Sequence, residues 1–242
     1  MTDSNATPNV LLVHGAWADG SSWSKVIEIL HAEGFGTVVA SQLGLRNFDD
    51  DVATVRRDLA LLDGPTILAG HSYGGAVISQ AGADQPQVAG LVYVAAYAPK
   101  AGESAFSINQ EFGVQLPSGA DLINIGAEDA PDFLVDRARF HTDFAADLTA
   151  AEAAVLAAVQ KPTSVLSLAG AGDKTPAWER LRANTWYQVS TEDAMIHPDL
   201  ERQLAARITE DERIVELAAG HASMLSKPAE IADLIVRAAR NI

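Results

Sequence analysis

Short apolar runs rich in β-branched residues alternate along this chain with stretches of helical periodicity. Val10 to Val13, Thr37 to Ala40, Thr66 to Ala69, Val88 to Ala95, Trp186 to Ser190 and Arg213 to Leu217 are mostly continuous in apolar character. That pattern predicts strands covered on both faces rather than strands with one wet face. Between and after them, Trp23 to Glu33, Phe48 to Leu62, Tyr73 to Ala83, Pro198 to Arg207 and Pro228 to Arg240 predict helices. Strand and helix in this alternation fold as a mostly parallel central sheet flanked by helices, the α/β class.

One interval breaks the rhythm. From Pro99 to Ala183 no strand is convincing apart from a short candidate at Thr163 to Ala169. Turn-rich sequence surrounds the segments Ser104 to Phe112, Pro131 to Arg139 and Leu148 to Gln160, and the Ala-rich stretch Ala150 to Ala158 is a strong helix former. An insertion of this length between two sheet strands is usually functional, so residues 99–183 are expected to form a helical lid within a single domain spanning 1–242.

Composition narrows the class. With 242 residues, 48% hydrophobic and 20% charged, the chain can bury one sizeable core. A net charge of −15 disfavours nucleic acid and anionic membrane surfaces, which need basic patches. Cysteine is absent, which removes disulfides, thiol nucleophiles and thiolate metal sites. Met1 to Pro8 is polar without Lys or Arg, unlike the start of a signal peptide, and no apolar run is long enough to span a membrane. The expected location is cytoplasmic; the pattern carries no signal for oligomeric state.

The chemistry concentrates at Gly70-His71-Ser72-Tyr73-Gly74-Gly75, directly after the run Thr66 to Ala69. G-x-S-x-G at a strand-to-helix junction is a nucleophile elbow, although five positions alone also fit an ordinary glycine-rich turn. A serine hydroxyl needs a base and an orienting acid. His221, in Ala219-Gly220-His221-Ala222 beyond the last strand, is the candidate base. His14 is expected to brace its own loop and His71 to point away from the serine, while His31, His141 and His197 suit packing or solvated roles. In an elbow fold the acid lies between serine and histidine in the chain. Asp193 fits at a strand end, with Asp173 and Glu192 as rivals.

Acyl chemistry also requires backbone donors for the oxyanion. The expected pair is the N–H of Tyr73, after the nucleophile, and that of Ala16 in His14-Gly15-Ala16-Trp17, with Trp17 as runner-up. Trp17, Trp23, Phe106, Trp178 and Met224 are candidates to line a substrate pocket, each with core packing as the plain alternative. Neither G-x-G-x-x-G nor G-x-x-x-x-G-K-[ST] is present, and no metal or cofactor is expected.

These motifs resemble the small α/β-hydrolases that include bacterial esterase-like proteins, plant methyl-ester esterases and plant hydroxynitrile lyases. The matching pieces are Val13-His14-Gly15-Ala16 with Trp23, the Ser72 hexapeptide, Val92-Tyr93-Val94-Ala95-Ala96 leading to Pro99, Thr191-Glu192-Asp193 with Ile196, and Gly220-His221 with Leu225 and Pro228. The resemblance runs close to full length and implies a Ser72-His221-Asp193 triad, which raises Asp193 above Asp173. It also implies a cofactor-free serine hydrolase of carboxylesterase type acting on a small apolar ester. The lyases of the group carry a threonine after the first-strand histidine and a lysine near the catalytic histidine. Here the loop after that histidine is Gly15-Ala16-Trp17 and the residue after His221 is Ala222, choices that look like the hydrolases. The alternatives are a lyase or C–C bond hydrolase and a non-catalytic binding protein.

Overall fold

The computed structural model describes residues 7–113 and 122–242, so Met1 to Ala6 of the polar start and residues 114–121 of the insertion lie outside the described residues. The strand β1 (Asn9–Val13) is fully buried after Asn9, because it is paired on both sides and covered on both faces. A short 3-10 turn then leads into α1 (Ser24–Ala32), β2 (Val38–Ser41) and α2 (Phe48–Leu59). Asn47 caps α2 by accepting from the Asp50 N–H at 2.8 Å. The acidic first turn (Asp49, Asp50, Asp51) and basic last turn (Arg56, Arg57) both complement the helix dipole.

The strand β3 (Thr66–His71) runs straight through Ser72 into α3 (Tyr73–Ala81), and β4 (Val88–Val94) follows. The interval before the next main-sheet strand holds α4 (Ala105–Phe112), β5 (Leu122–Asn124), β6 (Asp132–Val135), α5 (Phe140–Asp143), α6 (Ala150–Val159), β7 (Thr163–Ser164), α7 (Val165–Leu168) and α8 (Ala177–Arg180). The chain ends with β8 (Thr185–Ser190), α9 (Pro198–Ile208), β9 (Ile214–Leu217), α10 (Ser223–Ser226) and α11 (Pro228–Arg240).

Six strands form the main sheet in the order β2-β1-β3-β4-β8-β9, every pair parallel. This is the expected α/β fold with helices on the sheet. The chain winds outwards from β1 in one direction to β2 and in the other to β3. Right-handed crossovers therefore send the two sets of helices to opposite faces and open a crevice at the carboxyl ends of β1 and β3. The loops after those strands carry Gly15 to Trp17 and Ser72. No helix among the described residues is long and apolar enough to cross a membrane.

The interval after β4 is not wholly helical, which corrects the expectation for residues 99–183. β5, β6 and β7 form a separate antiparallel sheet. Asp132 to Val135 within the Pro131 to Arg139 segment is a strand, and the candidate strand at Thr163 to Ala169 is strand only at Thr163–Ser164 before it turns into α7. These strands are two to four residues long and mixed in burial, from exposed in β5 to buried in β7, so neither length nor alternation marks them in the sequence.

Glycines set the closeness of the elbow to the sheet. A Cβ on Gly74 would lie 2.5 Å from the Val13 carbonyl oxygen, and one on Gly70 would lie 2.6 Å from the Gly74 carbonyl oxygen. Both obstacles are backbone, which cannot swing aside. Gly74→Ala is expected to lower stability in urea unfolding by about 2–4 kcal/mol. Gly36→Ala, whose Cβ would meet nothing within 4 Å, should stay within about 0.5 kcal/mol of the parent.

Candidate active site

Ser72 has φ 53° and ψ −123°, a conformation that side chains rarely adopt. The surroundings hold it there. Its N–H donates to the Val94 carbonyl at 3.1 Å, and its own carbonyl accepts from Gly75 N at 3.0 Å and Tyr97 N at 3.1 Å. The loop after β1 presses on the serine from the other side, since a Cβ on Gly15 would lie 2.7 Å from Ser72 Cβ. Tyr73 opens α3, so its N–H is one of the first-turn donors that have no intrahelical acceptor.

The loop bearing Ala16 is fixed through its neighbour. Trp17 has φ 58°, its N–H donates to Thr163 Oγ1 at 3.0 Å, and its indole Nε1 donates to the Phe133 carbonyl at 3.0 Å. The runner-up oxyanion donor is therefore already engaged, whereas Ala16 precedes it in the same tight turn. Tyr73 is anchored through its side chain, which donates to buried Asp51 at 2.8 Å. Asp51 also accepts from Leu45 N at 2.9 Å and Ser167 Oγ at 3.2 Å.

His221 and Asp193 meet at a buried contact. His221 Nδ1 lies 2.6 Å from Asp193 Oδ2, with the two side chains 1% and 0% exposed. The second oxygen of Asp193 accepts from Met195 N at 2.6 Å and Ile196 N at 2.9 Å. A carboxylate that faces Nδ1 selects the Nδ1–H tautomer and leaves Nε2 as the basic atom. His221 Nε2 has no hydrogen-bond partner among the described residues, so its contact with the serine is not closed in this state. The loop that carries the histidine is held by Asp147 Oδ2, which accepts from Gly220 N at 2.9 Å.

The other expected residues fall in several places. His71 lies beside His221: its ring is 4.6 Å from that of His221, and its Nε2–H donates to the His221 carbonyl at 2.9 Å. Asp173 accepts from Gln80 Nε2 at 3.0 Å, and Glu192 is exposed. His31, His141 and His197 bind backbone groups near the surface. Among the described residues no cluster of three or more His, Asp or Glu could hold a metal.

Trp17 and Met224 line a small cavity of about 20 Å³ together with Phe140, Phe144, Leu156 and Val159. Leu156 and Leu225 also border a neighbouring apolar hollow of about 220 Å³. The cavity adjoins the histidine through Phe144, which packs edge-on against His221 at 5.2 Å. Trp23 is instead fully buried in the core, Trp178 donates to the Pro99 carbonyl at 3.0 Å, and Phe106 packs half-buried against the core, so none of these three lines the cavity. A larger hollow of about 350 Å³ between α4 and α9 touches no triad candidate. Phe140 and Phe144 were not singled out from sequence, although their i, i+4 spacing marks one face of a helical turn.

His14 braces its loop as expected. Leu43 N can only donate, and it reaches His14 Nε2 at 3.0 Å, so the proton sits on Nδ1 and donates to the Gly15 carbonyl at 2.8 Å. Burial pulls its pKa down to about 4. Below the ordinary value of 6.5 the unfolded chain takes up a proton that the folded state refuses until about pH 4. Stability present above pH 6.5 is thus lost as pH falls through this window, by up to about 3 kcal/mol from this group. Urea unfolding across that range should show a shallower pH slope for His14→Gln, by up to about one proton. An unchanged slope would mean that His14 titrates normally in the fold.

A family model described as the alpha/beta hydrolase family matches residues 10–234. A pyrethroid hydrolase of Sphingobium wenxiniae is 26% identical over 250 residues, covering 94% of this chain and 86% of the relative. Among solved structures, polyneuridine aldehyde esterase superposes with a TM-score of 0.80 at 19% identity, over 96% of this chain and 98% of that one. Tomato methylketone synthase I does so with a TM-score of 0.79 at 18% identity, over 97% and 98%. At such identities the structural likeness speaks to fold alone.

Proposed function

The chain belongs to the alpha/beta hydrolase family, and from that premise we propose that it is a serine hydrolase that cleaves a small apolar carboxylic ester. The observation that carries this is the buried His221–Asp193 contact at 2.6 Å, which leaves Nε2 free for proton transfer. In the proposed reaction Ser72 Oγ attacks the ester carbonyl carbon while His221 Nε2 takes its proton. Asp193 stabilises the imidazolium, and the N–H groups of Tyr73 and Ala16 receive the oxyanion. His221 then protonates the departing alcohol. Water, deprotonated by the same nitrogen, releases the acid from the acyl-enzyme. No step calls for a cofactor.

Residues 99–183 act in this proposal as a cap over the site, contributing Phe140, Phe144, Leu156 and Val159 as apolar walls opposite Trp17 and Met224. The names of the pyrethroid hydrolase and the polyneuridine aldehyde esterase agree with hydrolysis. The lyase alternative meets a steric obstacle. A Cβ at Gly15 would also lie 3.1 Å from His71 Nδ1, besides its 2.7 Å approach to Ser72 Cβ, so a lyase-like threonine at that place in the loop has no room here. A non-catalytic binding role leaves the free Nε2 and the strained serine without a purpose.

On short-chain aryl esters, Ser72→Ala and His221→Ala should each abolish turnover, and a serine-directed phosphonate should label the parent protein but not Ser72→Ala. Asp193→Asn is expected to lower kcat by on the order of 10³- to 10⁴-fold through the wrong imidazole tautomer. Asp173→Asn should stay within about twofold, since Asp173 binds Gln80 rather than His221. Turnover that survives Ser72→Ala would refute the nucleophile, and a larger loss at Asp173 than at Asp193 would refute the acid.

A further inference from the structure

Glu201 lies in the first turn of α9, where an acidic residue normally faces water, yet it is 0% exposed. One carboxyl oxygen, Oε2, accepts from the Ser190 N–H at 2.9 Å, at the end of β8. The other, Oε1, is buried and meets no conventional donor among the described residues. Asp193 stands beside it: the Ser190 residue whose N–H goes to Glu201 accepts the Asp193 N–H on its carbonyl at 3.3 Å, so two buried carboxyl groups flank one residue. Two carboxyl groups can share a hydrogen bond only if one carries a proton. Asp193 already accepts from His221 Nδ1, Met195 N and Ile196 N, whereas Glu201 accepts from Ser190 N alone. The donors that stabilise a negative charge therefore converge on Asp193, and the proton belongs to Glu201.

We propose that Glu201 is a positioning residue of the candidate catalytic centre, a neutral carboxylic acid whose O–H donates to Asp193 and fixes the carboxylate that orients the imidazole. This rests on the serine-hydrolase reading of the same site. Its electrostatic setting agrees. Burial first, and then the charge of Asp193, push the Glu201 carboxyl well above its ordinary range. The groups facing it from neighbouring elements are Asp193, Tyr187 of β8 and Tyr97 after β4, and burial holds both phenols neutral. Arg202 on the same helix pulls the other way but is committed to Asp199 and Glu216 at the surface. A donor without charge steadies Asp193 and adds no second negative charge behind His221.

Two variants and a spectrum test this. Glu201→Gln keeps the shape, an N–H for Asp193 and an acceptor for Ser190 N. Its kcat on an aryl ester should stay within about threefold of the parent, with the acid limb of kcat/KM unmoved. Glu201→Leu removes the donor and should lower kcat about tenfold or more with KM within about twofold. At neutral pH the infrared carbonyl band of a protonated carboxylic acid should be present in the parent and missing in Glu201→Gln. Stability gives a further readout, because the folded state keeps a proton that the unfolded chain releases above the ordinary value of 4.5. The parent should therefore lose stability relative to Glu201→Gln as pH rises above about 4.5.

The proposal is overturned if the infrared band is missing from the parent, or if Glu201→Gln moves the acid limb to lower pH, the mark of a lost negative charge near His221. It is overturned equally if Glu201→Leu leaves kcat intact. Should Glu201→Leu fail to fold, the Gln variant and the spectrum decide. The infrared band reports the proton whatever the protein hydrolyses, and turnover by Ser72→Ala reports the nucleophile, so the two readings fail separately.

Discussion

The geometry of this molecule hangs on one crowded junction, where β3 passes through Ser72 into α3 with almost no room for side chains. Gly70 faces the backbone of Gly74, Gly74 faces the carbonyl of Val13, and Gly75 faces the carbonyl of Tyr97, all at distances that a Cβ would reduce to 2.5–2.6 Å. Such closeness lets three peptide contacts clamp Ser72 in a left-handed conformation that it would otherwise leave. Because β1 abuts the same junction, the loop carrying Gly15 and Ala16 has only one way to run, against the serine. The start of α3, with its unpaired first-turn donors, points at the same place. The proposed nucleophile position and the proposed oxyanion position thus follow from a single packing constraint.

The segment between β4 and β8 does more than cover this junction. Thr163 and the Phe133 carbonyl hold Trp17 and with it the turn at Ala16. Asp147 holds Gly220, the residue before His221, and Phe144 packs against the imidazole itself. Ser167 reaches Asp51, which binds the hydroxyl of Tyr73. Each of the loops that carry the proposed chemistry on the serine and histidine sides is therefore tied to this segment by a buried polar or aromatic contact. Groups so tied are pre-organised rather than recruited.

Most of the main sheet was legible because buried parallel strands are continuous apolar runs and the helices between them keep one apolar face. The elbow at Ser72 and the pairing of His221 with Asp193 were legible through motif and chain order. What escaped was carried by short or locally ambiguous sequence. Leu122–Asn124 and Thr163–Ser164 have too few residues to show a period, and they become strands only by pairing across long loops. The contact of His71 with His221 was not legible, because it depends on where the His221 loop ends, which no local pattern contains. Glu201 reads as a dipole-complementing residue in a first turn, yet it stands at i relative to Ala205 at i+4 and Ile208 at i+7, both fully buried. That spacing put a carboxyl on the inner face, and the signal was available.

The acid end of the site also has a consistent electrostatic design. Burial holds His14 and His71 neutral, and burial together with the charge of Asp193 pushes the Glu201 carboxyl up. Three buried titratable groups around the site are thus biased towards their neutral forms, although the chain as a whole carries −15. In a medium of low effective dielectric, each additional fixed charge near His221 would bias its proton by more than a surface charge could. A histidine that must take and return one proton works against a fixed background only if its neighbours do not titrate with it. Keeping those neighbours neutral leaves the contact between His221 and Asp193 as the place where charge can change during the proposed reaction, and this is where three donors and a carboxylic acid have been assembled around one carboxylate.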